Sequence, residues 1–397
     1  MIKSPWLSIV GLGEDGPDGL SVASVKAIEN AEIIMGPPRH LGLLNSPSAN
    51  LIEWPVPFAD GIETLMSLRG KQVVVLASGD PFWYGAGSVI TRQLRGYEWQ
   101  AFPAPSSFSL AASRLGWSIE KTECIGLHAA PFSRLRPLLS DGGQAIVTLR
   151  DGSAVEKLAA YLVTASFGRS TLHVLEALGG PNERIRSFAA SDPALPDVLH
   201  PVCVAIEMSG HAELPLASGR SDALFENDGQ ITKRPVRALT LSALAPKRGE
   251  HLLDIGGGSG SISIEWLLSH HSMQATVIEA NHERAARIKT NAASLGVDRL
   301  NVVEGIAPSA LSKCDKPDAV FIGGGLSDEL LTSVTQFSGG TRLVANAVTL
   351  ESEALLIQWQ AKIGGDLLRI ELSNLGNIGK KRGWKAAYPL VQWSVTL

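Results

Sequence analysis

Two glycine-rich turns, each leaving a strand-like hydrophobic run, stand about 245 residues apart in this chain: Ile9-Val10-Gly11-Leu12-Gly13 and Asp254-Ile255-Gly256-Gly257-Gly258-Ser259-Gly260. A strand ending in Gly-x-Gly lets backbone N–H groups approach a ligand without interference from a Cβ. The two turns differ in glycine spacing and in the residues after them, so they predict two nucleotide-type sites on two different folds, not an internal duplication. The length of 397 residues also exceeds what one hydrophobic core usually holds.

In the first half, short apolar runs at 6–10, 73–77, 145–149, 171–176 and 202–207 read as strands. They alternate with helical patterns at 21–30, 87–94, 108–115 and 154–163, the rhythm of an α/β domain. Residues 209–228 are small and polar without periodicity, as a linker is. This divides the chain into domains at 1–212 and 218–397. In the second, strands at 251–255, 275–278, 300–303, 319–322 and 341–345 are expected, with helices at 235–244, 261–269 and 283–294. The outline is a doubly wound parallel sheet.

Composition excludes several classes. A net charge of −4 with 19% charged residues lacks the basic excess of a nucleic-acid binder. No apolar stretch approaches the roughly 20 residues of a membrane span, and Glu14 and Asp15 arrive too early for a signal-peptide core, so a cytoplasmic protein is expected. Cys124, Cys203 and Cys314 are widely spaced, and His251, His270 and His271 have no ligand-spaced partner, so neither disulfides nor a metal is expected.

The second glycine turn selects among nucleotides. A dinucleotide fingerprint G-x-G-x-x-G needs a third glycine at Ser261 or at Ser263, and neither frame completes. S-adenosylmethionine, which has no pyrophosphate to place on a helix N-terminus, suits an open turn better than a nicotinamide does. Glu279, closing the next strand, is positioned for ribose hydroxyls, and residues 305–307 are positioned to flank the adenine. The plain alternative is a structural glycine turn with a surface Glu. Phe321 to Gly325 lack the Asn/Asp-Pro-Pro-aromatic motif of enzymes that methylate amino groups of DNA and protein, which disfavours a nucleic-acid target.

The run Asp228 to Leu239, then Asp254 to Gly260, Ser263-Ile264-Glu265, Phe321 to Gly325 and Asn346 to Glu351, resembles the decarboxylating precorrin methyltransferase domain over about residues 218–397. The resemblance implies cofactor contacts at Thr232, at Gly256, Gly257, Gly258, Ser259 and Gly260, at Glu279 and at Ala307. Gly257 stands where that family more often has Ala or Cys. In the first half, Ile9 to Gly13, Val73 to Gly85 and Pro103-Ala104-Pro105-Ser106-Ser107 together resemble the corrin and porphyrin methylase fold over about residues 5–210. That family binds S-adenosylmethionine between two α/β subdomains, which implies contacts at Gly11, Gly13, Ser78, Gly79, Asp80, Trp83, Ser106, Ser107 and Leu149. Gly13-Glu14-Asp15-Gly16 departs from the Gly-Pro-Gly-Asp of many members.

Joined, the two resemblances imply methylation of a reduced precorrin at carbons 5 and 15 with loss of CO2 from the ring C acetate, giving precorrin-8 in cobalamin biosynthesis, with one S-adenosylmethionine per domain. The N-terminal domain would serve carbon 5; the C-terminal domain would serve carbon 15 and the decarboxylation. The fused arrangement leans toward a metal-free substrate, and both families tend to self-associate, so a homo-oligomer is expected. The many carboxylates of such a tetrapyrrole require cationic partners. Lys233 with Arg237, and Lys380, Lys381 and Arg382 beside Trp384, are the candidates; helix-surface charges and a solvated glycine loop are their plain alternatives. Arg39, His40 and Arg114 are weaker ones. No catalytic acid or base is singled out, because the enamine-like macrocycle supplies its own nucleophilic carbon. Competing readings are a nicotinamide oxidoreductase, a methyltransferase with a single working site, and a non-catalytic cofactor-binding protein with one degenerate domain.

Overall fold

The computed structural model describes residues 5–337 and 339–397. It separates into two compact units, one running up to Phe132 with Leu139–Glu213, the other comprising Ser133–Leu138 and Leu214–Leu397. The short stretch Ser133–Leu138 joins the second unit, where Arg134 grips both carboxylate oxygens of Asp298 at 2.8 and 3.0 Å.

The first unit opens with β1 (Leu7–Leu12), whose six residues are all buried, as a strand covered on both faces must be. Then come α1 (Val22–Glu29), β2 (Ile33–Gly36), α2 (Pro38–Leu41), β3 (Asn50–Glu53), α3 (Phe58–Ser67), β4 (Val73–Ser78), α4 (Gly87–Ile90) and β5 (Trp99–Phe102). The strands form one sheet in the order β3-β2-β4-β1-β5, parallel throughout. Helix α5 (Ser107–Leu115) leads to a second sheet of β6 (Glu123–Gly126), β7 (Gln144–Thr148), β8 (Thr171–Glu176), β9 (Arg184–Ala189) and β10 (Val202–Glu207), with α6 (Ser153–Thr164) after β7. Its order is β6-β7-β10-β8-β9, and only β6 and β7 run parallel.

The expected helix at 87–94 stops at Ile90 and tightens into a 3₁₀ turn over Thr91–Gln93. The β-branched pair Ile90-Thr91 favours helix poorly, and the Thr91 hydroxyl donates back to the Gly87 carbonyl at 2.9 Å.

The second unit carries α7 (Arg234–Leu244), β11 (His251–Ile255), α8 (Ser261–Leu268), β12 (Gln274–Glu279), α9 (His282–Ser294), β13 (Asn301–Glu304), β14 (Ala319–Ile322), α10 (Asp328–Val334), β15 (Arg342–Ala347), α11 (Leu350–Ile363), β16 (Asp366–Ile370), β17 (Ser373–Ile378), β18 (Lys381–Ala386) and β19 (Leu390–Thr396). Seven strands form one sheet in the order β13-β12-β11-β14-β15-β19-β16. The first five are parallel, and β19 and β16 add antiparallel strands at one edge. Trp266, Phe321 and Leu252 belong to the core cluster on one face, and Trp393, Leu253 and Val320 to the cluster on the other.

The basic run 377–385, for which a solvated glycine loop was the plain alternative to substrate binding, lies largely in the antiparallel hairpin β17-β18, with the turn at Gly379 and Lys380. No helix among the described residues is long and apolar enough to cross a membrane.

Candidate functional sites

In the first unit β1 and β4 run in register, Leu12 beside Ser78, with β5 on the other side of β1. Their carboxyl ends open into a cavity of about 830 Å³ whose far wall is Thr148 to Arg150 and Pro201 to Cys203 from the second sheet. That volume lies in the upper part of the range for small-molecule sites. Gly13, Ser78, Gly79, Asp80, Trp83, Ser106, Ser107 and Leu149 all line it.

Gly11 is not at the cavity surface but underneath it. A Cβ there would collide with the Gly79 carbonyl oxygen and sit 2.6 Å from the Ala104 nitrogen. Gly79, at φ +53°, donates its N–H to the Leu12 carbonyl at 3.1 Å and accepts from the Ala104 N–H at 3.1 Å. The loops after β1, β4 and β5 are thus bonded backbone to backbone with no room for side chains between them, which leaves their outer faces to the cavity. Asp80 accepts from the Phe82 N–H at 2.8 Å, Trp83 packs on Phe108 with ring centroids 5.0 Å apart, and the Ser106 hydroxyl caps α5 by accepting from the Ser109 N–H at 3.1 Å.

The cavity also brings together Arg39, His40 and Ser78, which the sequence marked separately and for different roles. One η nitrogen of Arg39 lies 2.8 Å from His40 Nε2 and 3.1 Å from Ser78 Oγ, while the other is ion-paired with Glu14. A guanidinium only donates, so His40 Nε2 accepts and the ring is neutral. Burial, then the Arg39 charge, pushes the His40 value down to about 3. His200, also on the wall, is held below its usual value by burial and by Arg39. Arg150, another wall residue, donates Nε–H to the His128 carbonyl at 3.2 Å. Arg39 and Ser78 are 39 positions apart in the chain, and it is the pairing of β2 with β4 that places α2 beside the end of β4. Arg114, the remaining basic candidate of this half, is bound to Glu183 by a two-pronged ion pair at 2.6 and 3.0 Å.

In the second unit the turn between β11 and α8 packs closely against neighbouring backbone at two of its glycines. Gly258, at φ +58°, would place a Cβ 2.8 Å from the Gln230 carbonyl oxygen, and Gly256, at φ +77°, would place one 2.7 Å from the Gly324 nitrogen. Gly257 faces inward, toward Val277 and Ile288, and Gly260 abuts Ile288. Glu279 ends β12 with one carboxylate oxygen accepting from the Gly258 N–H at 2.8 Å and the other from the Asn281 N–H at 3.0 Å. Its own carbonyl accepts from the Gly305 N–H at 3.0 Å, which draws the turn before half-buried Ala307 to the same edge. Thr232 lies on the irregular segment that runs past Gly258.

Among the described residues of this turn, two buried polar atoms have no partner: Ser259 Oγ and Asp254 Oδ1. The other Asp254 oxygen accepts from the Ser263 hydroxyl at 2.7 Å, and burial pushes the Asp254 carboxyl up to about 6. An unsatisfied buried carboxylate oxygen and serine hydroxyl beside a glycine-rich turn and a strand-ending acid fit a ligand that carries hydroxyl donors and positive charge. S-adenosylmethionine, with its ribose, ammonium and sulfonium, is such a ligand.

The candidate substrate cations fare differently. Lys233 is exposed at the N-cap of α7, and Lys380, Lys381 and Arg382 are exposed on the hairpin beside a Trp384 that is 76% exposed. Arg237 does not fit the expectation. It is fully buried and engaged by Glu265, Asp222 and the carbonyls of Thr232 and Arg220, so it has no free face for a substrate carboxylate. Its spacing from Lys233 put it on the inner face of α7, one turn in from the exposed cap.

Known proteins supply the family. Residues 7–193 match the family model described as Tetrapyrrole (Corrin/Porphyrin) Methylases, and residues 223–397 match the Precorrin methyltransferase domain. A Sinorhizobium sp protein named precorrin-6Y C(5,15)-methyltransferase [decarboxylating] is 48% identical over 406 residues, covering 100% of this chain and 97% of that one. A Mycobacterium tuberculosis (strain H37Rv) protein of the same name is 38% identical over 397 residues, covering 98% and 99%. The cobalt-precorrin-6B C(15)-methyltransferase (decarboxylating) of Salmonella typhimurium is 33% identical over 168 residues, covering 40% of this chain and 85% of that protein. With full-length relatives at this identity and a methyltransferase family matched in each half, the chain is an enzyme that belongs to the precorrin-6Y C(5,15)-methyltransferase (decarboxylating) family of cobalamin biosynthesis.

Proposed function

We propose that the chain binds one S-adenosylmethionine in each unit, methylates a reduced, metal-free precorrin at carbon 5 in the first and at carbon 15 in the second, and releases the ring C acetate carboxyl as CO2 in the second, giving precorrin-8. The observation that carries this division is that each unit has its own glycine site at its own strand ends, Gly79 with Ser106 and Ser107 in one and Gly256 to Gly260 with Glu279 in the other. A relative matching 40% of the chain and named for the C(15) step and decarboxylation alone supports a separable second activity.

The bound cofactor supplies an electrophilic methyl carbon on a sulfonium. The chain contributes alignment, and holding two reactants in line lowers a barrier by roughly 7–11 kcal/mol in favourable cases. Gly13, Ser78, Asp80, Trp83, Ser106, Ser107 and Leu149 line the first cofactor site over the close-packed Gly11 and Gly79. In the second, Glu279 takes the ribose hydroxyls, Thr232, Gly256, Gly258, Ser259 and Gly260 border the methionine part, and Ala307 flanks the adenine. Lys233, Lys380, Lys381 and Arg382 meet carboxylates of the macrocycle, with Trp384 offering a ring face. In the first unit Arg39 and Arg150 on the cavity wall take that role. The exposed Leu375 and Ile378 of the hairpin support self-association into a homo-oligomer, and the setting of this reading is the cytoplasm.

The test is incubation of the full chain with the reduced precorrin and methyl-labelled S-adenosylmethionine. Two labelled methyl groups and one CO2 per product are expected. A product that never carries more than one methyl group would overturn the two-site reading.

A further inference from the structure

Residues 226–233 form an irregular strap that runs into α7, and this strap lies against the glycine turn, with the Gln230 carbonyl 2.8 Å from where a Cβ on Gly258 would stand. The buried tether for that spacing is one side chain on α9. Asn291, 1% exposed, accepts from the Glu226 N–H at 2.9 Å through Oδ1 and donates to the Glu226 carbonyl at 2.9 Å through Nδ2. Its second N–H goes to the Ser259 carbonyl in the glycine turn, also at 2.9 Å. One planar amide therefore bonds both backbone groups of a strap residue, as a neighbouring strand would, and ties them to the turn.

Few side chains on a helix can do this. Asp lacks the donors, Leu lacks both kinds of group, and Asn is a poor helix residue that core helices avoid without a reason. Its neighbours on the buried face of α9, Ala285, Ile288 and Ala292, are apolar. The strap has a second tether at the surface. Asp228 meets Arg284 at 2.8 Å and Arg287 at 3.3 Å, both on α9, and also accepts from the Gln230 N–H at 3.1 Å.

We propose that Asn291 is a positioning residue for the second unit: it sets the distance between the strap that carries Thr232 and the turn Gly256 to Gly260, and so the affinity of that unit for S-adenosylmethionine and its thioether product. The inference rests on the cofactor reading above. Asn291 touches no ligand; it acts through Glu226 and Ser259.

Calorimetric titration of the full chain with S-adenosylhomocysteine tests it. The wild type is expected to resolve two sites. Asn291→Leu leaves the Glu226 N–H and the Glu226 and Ser259 carbonyls unpaired, and is expected to weaken one site by roughly tenfold or more while leaving the other unchanged. In turnover, the KM for S-adenosylmethionine in methyl transfer to carbon 15 rises and kcat holds, a split that general loosening of the fold does not produce. If Asn291→Leu fails to fold, Asn291→Asp decides: it keeps the side-chain size and the acceptor for the Glu226 N–H but loses both donors, and is expected to weaken the same site roughly threefold or more. Unchanged affinity at both sites in a folded variant with a lowered melting temperature makes Asn291 purely structural and overturns the proposal. A wild-type chain that binds a single equivalent removes the cofactor reading instead, and the inference falls with it.

Discussion

The guanidinium of Arg237 and the carboxylate of Glu265 meet at 2.7 Å with neither side chain exposed to solvent. Around this pair the Gly219 and Arg220 N–H groups donate to Glu265 at 2.7 and 2.9 Å, and Arg237 reaches Asp222 at 2.9 Å and the Thr232 carbonyl. The pair thus clamps both ends of the lead-in, residues 219–232, onto α7 and α8. A cation that sequence places beside the substrate becomes, in three dimensions, a brace behind the cofactor strap.

Breaking that brace should be costly. Arg237→Ala removes the nearer of the two buried cations on Glu265, the other being Arg220 at 3.5 Å, and unpairs the Thr232 and Arg220 carbonyls, for which the loss is about 3–5 kcal/mol; adding Glu265→Leu should not restore it, because that change also unpairs the Gly219 and Arg220 N–H groups and leaves Arg220 a buried cation without its carboxylate. Denaturant unfolding of the three proteins checks this. Stability equal to wild type in Arg237→Ala, with only the KM for the precorrin raised, would return Arg237 to the substrate site.

Legibility in the sequence followed the length of the buried apolar run. Strands such as Leu7–Leu12, Val73–Ser78 and His251–Ile255 declared themselves because they are continuous apolar runs in the middle of sheets. β3 and β16 to β18 did not, because edge strands and hairpins expose most of their residues; β2, though fully buried, is four residues long and too short to show a period, and β9 and β19 were also unread. The glycine turns and Glu279 were readable, since local chain geometry demands those residues. That Arg39 and His40 meet Ser78, and that Asn291 bridges to the glycine turn, were not, because each contact joins segments that only the strand order brings together, although Arg39, His40 and Ser78 were singly named.

Gly79 offers a way to separate the two methyl transfers. At φ +53°, with an added Cβ 2.9 Å from the Pro105 carbonyl oxygen and 3.1 Å from Ser106 Cα, Gly79→Ala costs about 1–2 kcal/mol of backbone strain and pushes the Ser106 loop outward. The expected product carries one methyl group and has lost its CO2, as mass spectrometry would record. Wild-type incorporation of both methyl groups would mean that this loop does not hold a cofactor.

His40 makes the first unit acid-sensitive. Its value is depressed from 6.5 to about 3, so between those values the unfolded chain binds the proton and the folded chain does not. The stability of the neutral ring is complete above pH 6.5 and declines as pH falls, by at most about 1.4 kcal/mol per pH unit. Thermal melts between pH 7 and pH 5 should show this decline, and His40→Gln should flatten it. A variant whose melting temperature falls as steeply as that of wild type would show that other groups carry the effect.

Asp254 should make ligand binding in the second unit depend on pH. Burial raises its carboxyl from 3.8 to about 6, with the Glu279 charge adding to the rise and the Ser263 hydroxyl opposing it. A raised acid costs stability on ionising: the folded state keeps its proton longer than the unfolded one, so the contribution falls from pH 3.8 to about 6, by about 3 kcal/mol in all, and is flat above. The charged form is the one that attracts a sulfonium or an ammonium. S-adenosylmethionine should therefore bind the second site more tightly as pH rises through about 6, and binding should in turn draw the carboxyl's value down. Asp254→Asn keeps the acceptor to Ser263 and cannot ionise, so it should bind more weakly at pH 7.5 with little change down to pH 5. S-adenosylhomocysteine, which lacks the sulfonium charge, should show a smaller pH dependence than S-adenosylmethionine in the wild type. Equal slopes for the two ligands would mean that Asp254 acts only by shaping the turn and not by its charge.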